Sequence, residues 1–500
     1  MVVTAIAALL AWAVGALLTL TAAGSAESLA ADILPRVPLV AADVDSEGKR
    51  RFRIRPETLT ASGGVRLTTQ NQAEGKKPEP ADKIVATCDR LRSELEFLAD
   101  SASGKTRMRR TAILFGKPAR IEQGSNMLSG PEIHLDERDE SARVAGAGRL
   151  SFLTRKDFNG GELPEPRRVD IGWDKQMEYH GRTSTATFIG GVKLDSGPEH
   201  MECHKMGLLF EKEASTTQPA GRSGSPGGGG LTPRMERYSS RRISIIRCDR
   251  DVLARSVRMA GGKLERRFQV KGEQFIYDAV ADRITTLCPG TMFVEDYRPP
   301  RPSKESDRRD DTTIAGRVER PSQTYIEWKQ RMEFMQTNRL AIVEGDVIMM
   351  HRSGKQVVLR ERLNVPDWPT LTEGRRSDLR CGKLMAQFAE PEPSASTRPS
   401  SDDDPLGAGA RVGPLEMFKA TRHVTLKDSG REVTAQRVVY DRGGDFARIW
   451  GYLEGRPRAI ATLTYVDDKG RAQTVRGSDF TFFFKNNHFF GKDVEVVGGK

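Results

Sequence analysis

Large apolar side chains fall on alternate positions through much of the chain, and one such stretch occurs twice. Ile171, Trp173, Met177 and Tyr179 are matched by Ile326, Trp328, Met332 and Phe334. The agreement runs on from Phe188, Gly190, Val192 and Leu194 to Val343, Gly345, Val347 and Met349. A period of two is strand spacing, because successive side chains on a strand point to opposite faces. A constant distance from the Trp strand to the Gly-x-Val step marks two copies of one β unit. Such modules usually offer a surface or a groove.

Strand-like runs continue on both sides of this repeat. Gly63-Gly64-Val65-Arg66-Leu67 carries the same Gly-x-Val step. Ile113 to Ile121 and Val144 to Leu150 are further strands, and Pro118 marks an edge or a turn. The pattern divides the chain into an apolar segment (1–35), a first β module (50–160), a second module (165–212) and a Gly/Ser/Pro linker (213–240). Strands continuing the second module follow (241–297), then a polar linker (298–320), a third module (321–389), another linker (390–413) and a C-terminal β module (414–500). The linkers hold too few apolar residues to build a core. The fold expected is all-β, from repeated antiparallel modules behind an N-terminal apolar helix that is a signal peptide or a membrane anchor.

Composition narrows the class. With 500 residues, 37% hydrophobic and 29% charged, the chain has room for several folded domains and is not disordered as a whole. A net charge of +11 favours anionic partners, but acids are interspersed with the bases and no RNA-recognition signature is present, so nucleic acid is not an expected partner. Met1 to Ala26 contains no charged residue and is long enough to cross about 30 Å of hydrocarbon. Gly24-Ser25-Ala26 would equally suit signal-peptide cleavage, so export is expected with or without retention of the anchor. Cys88, Cys203 and Cys381 occupy equivalent points of three modules, as small buried hydrophobes would. Spacing leaves open whether Cys248 and Cys288 pair.

The recurring unit is a strand ending in an aromatic (Met177-Glu178-Tyr179), a Gly turn into Val-x-Leu (Gly191-Val192-Lys193-Leu194) and a strand bearing the Cys (Met201 to Met206). Between units lie Phe115-Gly116-Lys117-Pro118-Ala119 and Val144-Ala145-Gly146-Ala147-Gly148-Arg149-Leu150. In these phrases the chain resembles the OstA-like (LptA-like) repeats of the periplasmic lipopolysaccharide-transport family. The match is clearest over 63–152 and 177–210, partial over 332–388 and weaker over 418–496. The resemblance implies an incomplete β-jellyroll folded like a taco, acyl chains in its apolar interior, and open edges that stack on other β-jellyroll transport components. Several modules and three linkers separate this chain from the family's one-module members. An apolar N-terminus, if retained, resembles the membrane-anchored partner of that pathway.

The candidate lipid-binding side chains are Phe188, Val192, Leu194, Ile342, Val347, Met349, Val424 and Leu426. The alternative is that they form ordinary sandwich core. Glu199-His200-Met201-Glu202-Cys203-His204 places His200, Glu202 and His204 on one strand face, conceivable for a metal, but the third module has no such set and a polar strand face is the expected reading. No Gly-x-Ser-x-Gly elbow, phosphate loop or His-Glu-x-x-His motif is present, so neither catalytic residues, metal nor cofactor is expected. The function expected is a periplasmic bridge or carrier for lipopolysaccharide or a similar envelope lipid. Its rival is a scaffolding envelope protein with filled cores; a carbohydrate-active β enzyme would need clustered exposed carboxylates at a groove.

Overall fold

A computed structural model describes residues 42–44, 50–52, 58–70, 83–99, 106–156, 162–210, 243–297, 321–354, 375–390 and 415–498, with short gaps at 429, 456–458, 468–469 and 485–487. The apolar segment 1–35, the expected linkers 213–240 and 298–320, and all of the linker 390–413 after Glu390 lie outside the described residues. Among the described residues every regular element is a strand, and no helix is long and apolar enough to cross a membrane. The chain forms two compact units, one of residues 1–156, 162–197 and 203–246, the other of 157–161, 198–202 and 247–500.

The first unit begins with a short ladder of β1 (Ala42–Val44) and β2 (Arg50–Phe52). Four long strands follow, β3 (Thr58–Gln70), β4 (Lys83–Ala99), β5 (Thr106–Gln123) and β6 (Asn126–Asp136), each antiparallel to the one before. The ladder then splits. Glu132 to Asp136 of β6 pair with β7 (Ser141–Ala145), while Met127 to Ser129 pair with β8 (Gly148–Lys156). The short strand β7 pairs with β10 (Gln176–His180), and β8 pairs with β9 (Glu162–Trp173). Both branches rejoin on β11 (Thr185–Ser196), whose first half pairs with β10 and whose second half pairs with β9. There are thus two walls: wall A holds β7 and β10, wall B holds β8 and β9, and the long strands run through both.

The long strands change wall at an interruption of the ladder. Register shifts fall at Ser62/Val65 in β3, Thr87/Arg90 in β4 and Phe115/Ala119 in β5. A bulge bends a strand and raises its local twist, which is how a strand passes from one sheet to another. Gly190 and Gly191 mark the bend of β11 with φ of 87° and 49°, a region that suits glycine. Pro118 lies at the bulge of β5, not at an edge or turn: lacking an N–H, it is accepted where the ladder is already broken.

The second unit repeats this plan. β12 (Glu199–Phe210) and β13 (Ile243–Ala260) have residues in both units. β14 (Lys263–Asp278) splits onto β15 (Arg283–Leu287) and β16 (Gly290–Asp296), these pair with β18 (Arg331–Met335) and β17 (Ser322–Trp328), and both rejoin on β19 (Leu340–Ser353). β20 (Arg375–Phe388), β21 (Leu415–Asp428) and β22 (Arg431–Asp441) continue the long ladder. β22 splits again onto β23 (Phe446–Trp450) and β24 (Ala461–Val466), which pair with β26 (Asp479–Phe483) and β25 (Ala472–Gly477). β27 (His488–Lys492) and β28 (Glu495–Gly498) take the place of the rejoining strand, one on each wall.

Turn chemistry repeats with the topology. Asp136, Asp278 and Asp441 end the three splitting strands, and each carboxylate accepts a backbone N–H two or three residues on, at Asp139, Val280 and Ala281, and Gly444. This is the Asx turn, in which a side chain substitutes for a backbone acceptor. The next turn then donates back: Gly181 N–H to Glu140 O (2.8 Å), Gln336 N–H to Asp282 O (3.0 Å) and Phe484 N–H to Asp445 O (3.1 Å).

Two tryptophans lock the copies that share the sequence repeat. Trp173 and Trp328 donate from Nε1 to the carbonyls of Gly146 and Cys288, both at 3.1 Å. Their rings lie against Gly148 and Gly290, where a Cβ would overlap the indole. The Trp173→Ala variant is expected to cost about 3–5 kcal/mol in urea unfolding. Trp450→Ala, at a half-buried ring flanked by the guanidinium groups of Arg437 and Arg448, is expected to cost less than half as much. Equal losses would mean that Trp173 does not lock its copy.

Candidate apolar groove

Alternation along the strands gives each wall one apolar inner face. In the first unit, wall A carries Leu91, Leu114, Ile133, Val144, Met177 and Phe188 as successive cross-strand neighbours, all buried. Wall B carries Ala86, Ile121, Leu128, Leu150, Ile171 and Leu194 in the same way. Trp173 of wall B meets Phe188 of wall A with ring centroids 5.3 Å apart, so the two inner faces look at each other and touch near the bend. Fully burying one such aliphatic side chain contributes about 1.5–3 kcal/mol, against roughly 0–1 for an exposed ion pair. The rows therefore dominate the stability of each unit.

The second unit has the equivalent rows. Met332, Val343, Leu384, Ala420, Val438 and Ile449 follow one another on wall A, and Ile326, Met349, Leu379, Leu426, Val433 and Leu463 on wall B. A small pocket, with room for about one water molecule, lies between the walls at the last copy. Leu426, Val433 and Leu463 line it from wall B and Ala447, Ile449 and Phe482 from wall A, with Phe484, Asp428 and Arg431 completing the lining. Phe484 packs edge-to-face on Phe482 at 5.2 Å and on Tyr440 at 5.8 Å. The positions of Trp173 and Trp328 are occupied here by Gly477, so this copy is packed by phenylalanines instead.

The sequence-derived candidates take three kinds of place. Phe188, Leu194, Met349 and Leu426 belong to the rows. Val192, Val347 and Val424 are buried immediately beyond the bends of β11, β19 and β21. Ile342 stands apart: it is half-buried and pairs with Glu333 and Met385, on the opposite face from Val343. Val343 is the true counterpart of Phe188, since each faces the matching methionine, Met332 or Met177. Alternation with Gly345 and Val347 carried that signal. The wall-forming residues of β4 to β8 and of β20 to β23 lay outside the repeated phrase and were missed, as were Asp428 and Arg431.

The reactive groups are placed as follows. His200 Nε2 lies 2.8 Å from Glu202 Oε1 on one strand face, while Glu199 is buried on the other face. Among the described residues no set of three metal-ligating side chains converges. Arg331 and Lys383 hydrogen-bond Glu344 at the bend of β19 and hold its carboxyl below the usual range. None of the five cysteines is in a disulfide: Cys88, Cys203, Cys248 and Cys381 are buried, and Cys288 is exposed, so Cys248 and Cys288 are not joined. Burial, helped by Asp89, pushes the Cys88 thiol up to about 11, and burial pushes Cys381 up to about 12.

No protein-family model matches the chain, and no curated protein matches it. Among solved structures it is similar to LptH, the LptA-homologous periplasmic component of the lipopolysaccharide transport device from Pseudomonas aeruginosa. The identity is 16% and the TM-score 0.16, over 23% of this chain and 73% of that one.

Thiol chemistry tests the placement of the cysteines. At neutral pH only Cys288 is expected to react quickly with a thiol reagent, the other four after unfolding. The raised thiols favour the protonated, folded state. Their contribution is complete below the ordinary value of 9.0 and is lost as pH rises through about 11 for Cys88 and about 12 for Cys381. Fast labelling of Cys88 or Cys381 in the folded chain would contradict the buried assignment.

Proposed function

We propose that the protein binds an envelope amphiphile of the lipopolysaccharide type and passes or bridges it across the periplasm, with acyl chains lying between walls A and B. The observation that carries this reading is the pair of facing apolar rows that continues from strand to strand within each unit. Two sheets packed face to face hold an apolar layer about 10 Å thick, which acyl chains can share if the walls part away from the bends. The OstA-like phrases support the same reading, and the net charge of +11 would attract phosphorylated lipid or a membrane surface. Transfer of this kind needs no bond to form or break, so we assign no catalytic residue. Other β-jellyroll components would join at strand edges, where β27 and β28 carry the exposed Phe490, Val496 and Val497.

The scaffold reading has its own support. Trp173 packed on Phe188, and Phe480, Phe482 and Phe484 buried in the last copy, fill space that a permanent conduit would leave open. In-cell photocrosslinking separates the two. A probe at Val192, and then at Val347, is expected to capture lipopolysaccharide, while one at the exposed Lys193 captures none. A folded, exported protein with no lipid adduct at either valine would replace the carrier by the scaffold.

A further inference from the structure

The two units also differ in the side chains that point away from the groove. On the outward face of wall A in the second unit, Leu340, Ile342, Met385 and Met417 lie on neighbouring strands. Phe446, Phe483 and Phe490 extend this patch to β27. The equivalent positions of the first unit carry Thr58, Thr60, Arg92 and Thr111, then Ser141, His180 and Thr187. The patch meets solvent, with Phe490 79% exposed, Met417 40% and Phe483 37%. Trp450 replaces Ala145 on the same face, and the guanidinium groups of Arg437 and Arg448 lie 4.4 and 4.8 Å from its ring centre. The balance of charge reverses as well. Among the described side chains in the outward rows that hold these residues, Lys383, Lys419, Arg437 and Arg448 outnumber Glu344, Asp441 and Asp479. In the matching rows of the first unit, Glu94, Glu132, Asp136 and Glu178 outnumber Arg90, Arg92 and Arg143.

We infer that the outward face of wall A in the second unit docks on an anionic lipid bilayer. Interfacial binding grows with the apolar area placed in the head-group layer and with the attraction of cations to anionic lipid. This face offers both. Trp450 and its two arginines each join an apolar body to a polar tip, which suits the boundary between head groups and acyl chains. Lys383 and Lys419 stand among the apolar side chains, whereas lysine is depleted from protein–protein interfaces. The attraction depends on the charge of the face and not on a vacant hydrogen bond, so it is compatible with the pairing of Lys383 with Glu344 and of Arg448 with Asp479. A bilayer meets the side chains of the face and leaves the main chain at the edge of β27 available for strand pairing. The first unit, polar and with acids in excess here, would not dock. None of this requires acyl chains between the walls.

Photocrosslinking of the purified full chain tests this on vesicles of phosphatidylcholine mixed with phosphatidylglycerol. A benzoylphenylalanine probe in place of Phe490, and then of Ile342, is expected to capture phospholipid at least about fivefold more than one in place of Thr187, the first-unit equivalent of Phe490. The probes share one chain, so any tethering by residues 1–26 acts on all of them alike. Lys419→Gln, at a partly exposed side chain, is expected to lower capture at position 490 about fivefold, the scale of one cation at an anionic surface. Vesicles of phosphatidylcholine alone are expected to lower it further. Equal capture at positions 187 and 490, or capture indifferent to both Lys419→Gln and phosphatidylglycerol, would overturn the docking. No phospholipid adduct at either 342 or 490 would also overturn it and give the face to a protein partner. Either failure leaves the groove reading standing, since probes at Val192 and Val347 report on that separately.

Discussion

The fold depends on the bend of its long strands. A strand that ran straight would belong to one sheet, and the short strands hydrogen-bonded to its two halves would lie in one plane. Because β11 turns at Gly190 and β19 at Gly345, each strand gives one half to wall A and one half to wall B. Two apolar faces are then brought opposite each other by covalent continuity, without a separate docking step. The bend is also conserved in kind where glycine is absent: Arg422 and His423 take φ of 69° and 53° at the same point of β21, a cost that the surrounding ladder must offset.

Polar groups serve this arrangement from outside. Cross-strand ion pairs such as Arg331–Glu344–Lys383 sit on the outward face, where each is worth little on its own. Their steric and electrostatic effect is to fix register, since a slip of one residue would exchange the faces of every side chain on the strand. One buried network departs from this pattern. Gln323 donates to Glu295 at 2.9 Å, Tyr297 donates to the same carboxylate at 3.1 Å, and burial next to Glu295 pushes the Tyr297 phenol well above its ordinary range. Such a linked cluster resists rearrangement more than an apolar one, because breaking any member strands the others.

Much of the fold was legible in the alternating pattern. The match of Met177-Glu178-Tyr179 to Met332-Glu333-Phe334 identified two equivalent strands, and the structure pairs both with the Gly-x-Val strand in the same register. The equivalence of Cys88, Cys203 and Cys381 also held, each buried on a long strand. What could not be read was the partition between walls. Alternation says that Val343 and Ile342 face opposite ways, and the match of Val343 to Phe188 marks Val343 as the inward one, so Ile342 entered the candidate groove against the signal of the repeat. The third copy was harder still. Gly477 stands where Trp173 and Trp328 stand, so the residue that best marked the repeat is missing, and the equivalence survives only as hydrogen-bond register.

One consequence follows from the way the ladder splits and rejoins. An eight-strand frame is complete in β3 to β10 and again in β19 to β26; the first is followed by the bent strand β11, of the kind with which it opened, and the second by β27 and β28, one on each wall. A duplicated or deleted frame therefore leaves matching hydrogen-bonding edges at the seam. Genes encoding such chains can lengthen or shorten by whole frames, and the span of the product becomes an evolutionary variable that changes without any new core having to be invented.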